Sequence, residues 1–422
     1  MTVTDTTLDG WFKNRYEDKG RKVIPQFSIV SQDIRFGEAE RLGGKFVFNV
    51  RLRRAHGITF YGSGLDAFAL EAAVSGQTAD GEQQGAQVVI RESIAYGVIA
   101  NARGSKEAFG NAFDEVVMDL RDTAAFYREM CMLYGGSSIG TIEADPGSAG
   151  GATRTGVTIT KATWAPGLWA QMEGAKVDVY SAPGGTQRNT TTAITISALN
   201  FTNRTMTFTG LDAELTAILA NDVIIPYEAD GKWFDGFDTL ITSTAGTLHN
   251  ISSSTYGMWL GNTLDAGGGE LTFKTIQDAA TQIFVRTGQT KLYCYVSPYA
   301  YTDLNADLAA LRRFTDEGTR MRKQGTTGIT YYGVTGEITI KPHPMIKAGQ
   351  AFLVCPKFFK RVGSTDITFR LPGLEGEGQQ PRFFRELADS AGFEIRCYWN
   401  QALVNLRPPA HCKITNIVNS GL

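Results

Sequence analysis

Hydrophobic and polar positions alternate along residues 45–52, with Phe46, Phe48, Val50 and Leu52 on one side and Lys45, Asn49 and Arg51 on the other. A period of two predicts a strand. The same alternation returns in Val88, Ile90, Ile94, Tyr96 and Val98, while the intervening Gly62 to Gly85 is rich in Gly, Gln and Ala. The pair reads as one long β-hairpin with a polar tip. Strands of about sixteen residues reach roughly 50 Å, far beyond the radius of a compact domain, so the hairpin is expected to leave its own domain and lie on a neighbouring subunit. A hairpin built into a larger sheet is the alternative.

The period changes to three and four over Ser105 to Leu133, where Phe109, Phe113, Val116, Val117, Leu120, Ala124, Tyr127 and Cys131 are separated by Asp114, Glu115, Asp119, Arg121 and Asp122. This predicts one straight amphipathic helix, about 43 Å long. Gly104 and Ser105 supply a breaker and an N-cap, Glu107 suits the positive end of the dipole, and Gly135-Gly136 ends the run. Further on, short strands are predicted at Val157–Ile159, Val177–Tyr180, Ala193–Ser197, Thr205–Phe208 and Val223–Ile225, punctuated by turn formers such as Pro183-Gly184-Gly185. They form either a small β-rich insertion or an extension of the main sheet. Helices follow at Leu271–Val285 and Tyr301–Phe314, with strands at Tyr293–Val296, Glu337–Ile340, Phe352–Val354 and Glu394–Trp399. Helices and strands are segregated, which predicts an α+β class rather than a βαβ alternation.

The order of these parts resembles the major capsid proteins of tailed bacteriophages, the Hong Kong 97-type fold. An extended loop is followed by a long spine helix and a Gly-rich turn, LYGGSSIGTIEA from Leu133 to Ala144. The stretch NISSSTYGMWLGNTLDAGGGELTFKTIQDA, Asn250 to Ala280, is similar to the family's Trp-x-Gly-Asn element ahead of an axial-domain helix. GVTGEITIKPHPMIKAGQAFLVCPKFFKRV, Gly333 to Val362, is similar to the segment that returns the chain to the peripheral domain. The resemblance covers most of residues 40 to 415 and is weakest over about 150 to 226.

It implies an N-terminal arm over 1–43, an extended loop over 44–99, and a peripheral domain with the spine helix over 100–151. A β-rich insertion over 152–226 and a second peripheral part over 227–270 follow, then an axial domain over 271–385 and peripheral return strands over 386–422. The implied function is a structural protein whose hexamers and pentamers close into an icosahedral head around double-stranded DNA, assembled in the bacterial cytoplasm and residing in the virion. Implied partners are copies of itself, portal and scaffolding proteins, a decoration protein, and DNA enclosed without sequence-specific binding. About 40 residues before the extended loop leave no room for a fused scaffolding domain, so a separate scaffolding protein is expected unless a longer precursor is cleaved. An encapsulin-like cellular compartment is the alternative within the fold.

Composition adds little against this. The chain has 422 residues, 42% hydrophobic and 20% charged, with a formal charge of −2 and a pI near 6.2, so no global basic field marks a dedicated nucleic-acid binder. Five cysteines without a C-x-x-C pair read as buried free thiols. No secretory signal or membrane-length apolar run is present, so the Asn-x-Ser/Thr matches at Asn189, Asn200, Asn203 and Asn250 read as accidents of a Thr-rich region.

Three motifs bear on catalysis. Gly136 to Gly140 satisfies G-x-S-x-G around Ser138, yet a helix precedes it where a nucleophile elbow needs a strand, and His249, His343 and His411 lie in turn-like contexts. A serine hydrolase is the alternative from another class. Gly62 to Ala67 matches a dinucleotide pattern but continues into the polar tip. Four scattered histidines give no metal-ligand spacing, so no enzyme activity, cofactor or metal is expected. Basic clusters at Arg51, Arg53 and Arg54 and at Arg312-Arg313 are either solvated surface or contacts to acids of adjacent subunits. Lys13, Arg15, Lys19, Arg21 and Lys22 are candidates to face packaged DNA.

Overall fold

The computed structural model describes residues 28–37, 45–61, 63–64, 67–95, 106–144, 146, 150–306, 329–333, 336–369, 384–387 and 391–422. Its axis is the helix Lys106–Tyr134, within one residue of the predicted span. Gly135 and Gly136 end it, the latter at φ +73°, a left-handed conformation that a side chain would strain. From Val116 onward the periodic face packs as the pattern requires, while the side chains of Phe109 and Phe113 lie outside the described ones. Leu120 meets Ile94 and Ile395, with Val116 and Val117 alongside, and Ala124 meets Cys397 and Trp399. From Glu129 the helix is enclosed on every side, and Met130, Leu133 and Tyr134 enter the largest core.

The helix lies against a sheet whose central strand, Gly392–Asn405, pairs with Phe359–Thr368 and Phe384–Glu386 along one edge and with Ala86–Ala95 along the other. This corrects the hairpin. The alternating segment that starts at Ala86 is not the return strand of the extended loop; its even positions face the spine helix and it pairs with the C-terminal strand of its own subunit over ten residues, from Gly392↔Ala95 to Gln401↔Ala86. The true partner of Lys45–Arg53 is Gln77–Gln84, inside the segment expected to be a tip. Gly81 explains the register: it stands opposite Phe48, whose ring occupies the space that a Cβ would fill. The paired ribbon is therefore shorter than the pattern implied, nine residues on its longer strand or about 30 Å, and the described residues between 54 and 76 add no helix or strand to it.

A six-stranded sheet runs in the order Asn262–Asp265, Cys412–Thr415, Ala351–Val354, Lys291–Val296, Gly336–Pro342, Ile329–Gly333. Helices Phe273–Thr287 and Pro298–Ala306 bury Ile276, Ile283, Ala300 and Leu304 in its core. Thr272 caps the first, accepting the Thr275 N–H at 3.2 Å, and Gly288 at φ +67° closes it. The chain's last strand thus joins this sheet rather than the one beside the spine helix.

The predicted Thr-rich strands form a second six-stranded sheet in the order Gly140–Thr141, Val223–Pro226, Lys176–Tyr180, Ile194–Asn200, Thr205–Thr209, Thr153–Thr158. It is a sheet of its own but does not own its core. Val177, Ile196 and Phe208 share one continuous cluster with Trp164, Trp169, Tyr134 and Met345.

Candidate functional site

The ribbon is seated at its base and bare at its end. Phe46 and Phe48 stack at 5.8 Å, and Phe48 packs edge-on against His249 at 5.7 Å and beside Trp259 at 6.5 Å. Lys45 pairs with Glu82 at 2.7 Å and Asn49 with Asp80 at 2.8 Å, cross-strand contacts worth a few tenths of a kcal/mol to about 1 kcal/mol each. Arg53 donates to the Thr255 carbonyl and lies over the Tyr256 ring. Past this point the chain exposes Ile58, Phe60, Leu70 and Val74, with Phe60 92% accessible; Tyr61 and Phe68 stack on each other at 4.3 Å. So much exposed apolar surface on one loop marks a surface meant to be covered.

Arg53, Arg54 and His56 line a cavity of about 690 Å³ with Ala73, Val74 and Gln77, where the ribbon flares into the loop. Arg51 lies on the same exposed strand face as Arg53, so the structure brings the first basic cluster together. Arg312 and Arg313 lie outside the described residues, as do Lys13, Arg15, Lys19, Arg21 and Lys22.

A second constellation escaped the sequence pattern. Glu129, fully buried on the spine helix, accepts the Val30 N–H at 2.6 Å, the Ser31 N–H at 3.1 Å and His343 Nε2–H at 3.0 Å. His343 Nδ1 accepts the Met345 N–H, which fixes the tautomer. The strap 28–37 is fastened further by Asp33, bonded to Lys341 Nζ at 2.6 Å and to Tyr295 Oη at 2.6 Å, and by Arg361, which donates to the Ser31 and Ile34 carbonyls. The only trace in the sequence is one acid in the otherwise uncharged run Glu129 to Tyr134.

Around Ser138 the geometry is structural. The residue is buried, its carbonyl accepts Lys347 Nζ at 2.7 Å, and that ammonium sits over the Tyr134 ring. Burial pushes Lys347 down to about 8. Burial also works against the charge of Asp238, but Lys347, Lys413 and the Ser137 hydroxyl hold its carboxyl below the usual range. The ring nitrogens of His249 and His343 are bonded to Gln83 and Asn405 and to Glu129 and Met345, and His411 Nδ1 accepts the Cys355 N–H. Ser138 thus has no imidazole base among the described residues. The five thiols are free and buried, and burial raises Cys131 and Cys412 to about 12 and Cys397 to about 11. Among the described residues no helix is long and apolar enough to cross a membrane, and no group of three His, Cys, Asp or Glu could hold a metal ion.

No protein-family model and no curated protein matches the sequence. Solved structures do match in fold. The chain of a cyanophage A-1(L) capsid asymmetric unit aligns over 98% of this chain and 99% of its own, with 12% identity and a TM-score of 0.53. A structure from Mycobacterium phage Adephagia aligns over 99% of both chains at 9% identity and a TM-score of 0.46. A holo-SrpI encapsulin complex from Synechococcus elongatus aligns over 99% of this chain and 96% of its own at 8% identity and 0.41. The chain has the α+β fold of a phage capsid subunit, the Hong Kong 97-type fold, from strap to last strand.

Proposed function

We propose that this chain is the major capsid protein of a tailed bacteriophage, a structural subunit without enzymatic activity that assembles into hexamers and pentamers of an icosahedral head around double-stranded DNA. The observation that carries the reading is the capsid-subunit fold over 98% of the chain. The exposed apolar residues Ile58, Phe60, Leu70 and Val74 past a seated ribbon supply the mechanism. A heterologous contact repeated about five- and six-fold axes closes rings, and the loop then ties each subunit to the next. Phe60 and Leu70 are the anchors of that tie, and Arg51, Arg53, Arg54 and His56 receive carboxylates of the neighbouring copy at its base. Segments 1–43, 44–99, 100–151, 152–226, 227–270, 271–385 and 386–422 then serve as arm, loop, peripheral, insertion, peripheral, axial and peripheral parts. Arg312 and Arg313 join the inter-subunit contacts; Lys13, Arg15, Lys19, Arg21 and Lys22 face the packaged DNA. Scaffolding, portal and decoration proteins are the expected partners, and the virion is its place.

The test replaces Phe60 and Leu70 together with Ser. Because both are exposed in the subunit, its unfolding midpoint should not move, while particle yield with the scaffolding protein should collapse. Normal particle yield from this variant would remove the loop from the mechanism. Particles filled with a protein cargo in place of DNA would instead favour an encapsulin-like compartment.

A further inference from the structure

At the base of the ribbon one turn of the body bonds directly to it. Thr247–Leu248 and Ile251–Ser252 form a tight hairpin whose two-residue loop, His249 and Asn250, has φ of +50° and +66°. Both signs are those of a type I′ turn, in which a histidine is tolerated but strained, so its side chain is expected to repay the conformation through specific contacts. It does so on two sides. Toward the body, His249 Nε2 accepts the Asn405 N–H at 3.1 Å; toward the ribbon, Nδ1 meets Gln83 Oε1 at 2.8 Å. A nitrogen that accepts from an amide carries no proton, so the proton is on Nδ1 and is donated to Gln83. The His249 carbonyl accepts the Glu82 N–H, Phe48 packs on the imidazole, and Trp259 Nε1 clamps the Leu248 carbonyl. One neutral ring is thus bonded to ribbon and body at once, beside the Phe48–Trp259 and Arg53–Thr255 contacts that also seat the ribbon.

We propose that the His249–Asn250 turn is an acid-sensitive catch that holds the ribbon on the body while the imidazole is neutral and releases it, with the body still folded, when His249 is protonated. A second proton would sit on Nε2, where it faces the Asn405 N–H. The Asn405 amide would lose its acceptor and the new Nε2–H would face a donor, inside a closed site. The charged groups around the ring offer no compensation. On the ribbon, Glu82 is held by Lys45, Asp80 by Asn49, and Arg53 lies over Tyr256; past the central strand, Arg407 lies over Phe358; before the turn, Asp238 is engaged by Ser137 and Lys413.

Burial pushes the His249 imidazole down from 6.5 to about 4. A depressed histidine contributes stability that is complete above its free value and declines as pH falls from 6.5 to 4. Over that window the ratio of released to seated ribbon should rise by roughly two to three orders of magnitude.

The experiment is hydrogen exchange on the unassembled full chain from pH 7 to 4, corrected for intrinsic rates, comparing the ribbon, 46–51 and 81–84, with the spine helix, 120–133. The wild type should lose ribbon protection at a pH where the helix is still protected. His249→Gln should hold ribbon protection constant relative to the helix. Should that variant misfold at the left-handed position, Gln83→Leu gives an independent reading: with one side of the catch gone, release should move to higher pH. Glu82→Gln, which removes a carboxylate that also titrates near this range, should leave the step in place. Loss of ribbon and helix protection together, an unmoved step in Gln83→Leu, or a step abolished by Glu82→Gln would each overturn the proposal.

Discussion

Replacing Glu129 with Leu tests whether the strap 28–37 is held by hydrogen bonds to a buried carboxyl group rather than by apolar contact. The substitution keeps volume and helix propensity but leaves three donors, the Val30 and Ser31 amides and His343 Nε2–H, without an acceptor in a site with no solvent access. An unpaired buried donor costs about 1–3 kcal/mol, and three are left here. The contributions overlap because the strap can pull away and hydrate, so a net loss of about 3–5 kcal/mol is expected, a large part of the total stability of an ordinary domain. Urea unfolding of the unassembled subunit measures it through the midpoint at constant slope. Glu129→Gln, with one acceptor oxygen retained, should fall between wild type and Leu. The double variant Glu129→Leu/His343→Leu should cost less than the sum of its singles, since the histidine no longer seeks a partner. A loss below about 1 kcal/mol for Glu129→Leu, or strict additivity in the cycle, would refute the reasoning.

Other consequences are local. Gly81→Val would place side-chain atoms on the Phe48 ring, so the ribbon should lose amide protection by an amount equivalent to about 1–3 kcal/mol while the spine helix is unaffected; unchanged ribbon exchange would mean that the Phe48 seat does not hold it. All five cysteines should resist a disulfide-exchange reagent at pH 8 in the native subunit and react together on denaturation, because burial both raises Cys131, Cys412 and Cys397 and hides the sulfurs. Rapid labelling of one native thiol would contradict that. Ser138→Ala should leave assembly intact, and a Ser138-dependent esterase activity in the wild type would revive the hydrolase reading.

What could be read from the sequence was set by periodicity, and what could not was set by pairing. The spine helix was legible to within a residue because its apolar stripe is long and its Gly-Gly end is unambiguous. The Thr-rich strands were legible because turn formers bracket each. The ribbon partner was not: QTADGEQQ carries no alternation, and it forms a strand because Phe48 needs Gly81 opposite and because Lys45 and Asn49 find Glu82 and Asp80 there. Alternation reports which face of a strand is apolar, never which strand lies beside it, so Ala86–Ala95 was assigned to the wrong neighbour. The strap and the catch rest on contacts between residues far apart in the chain: Val30 is 99 residues from Glu129, and His249 is 166 from Gln83 and 156 from Asn405. Composition cannot announce such pairs, and only an acid inside an apolar helix end hinted at one.

Whether this chain builds a closed shell is decided by electron microscopy of particles purified after expression of the chain, alone and with a candidate scaffolding protein. Icosahedral shells of megadalton mass are expected, with density for residues 54–76 lying on an adjacent subunit that covers Phe60 and Leu70. A chain that remains monomeric or dimeric at every salt concentration, or shells in which those residues stay on their own subunit facing solvent, would contradict that expectation.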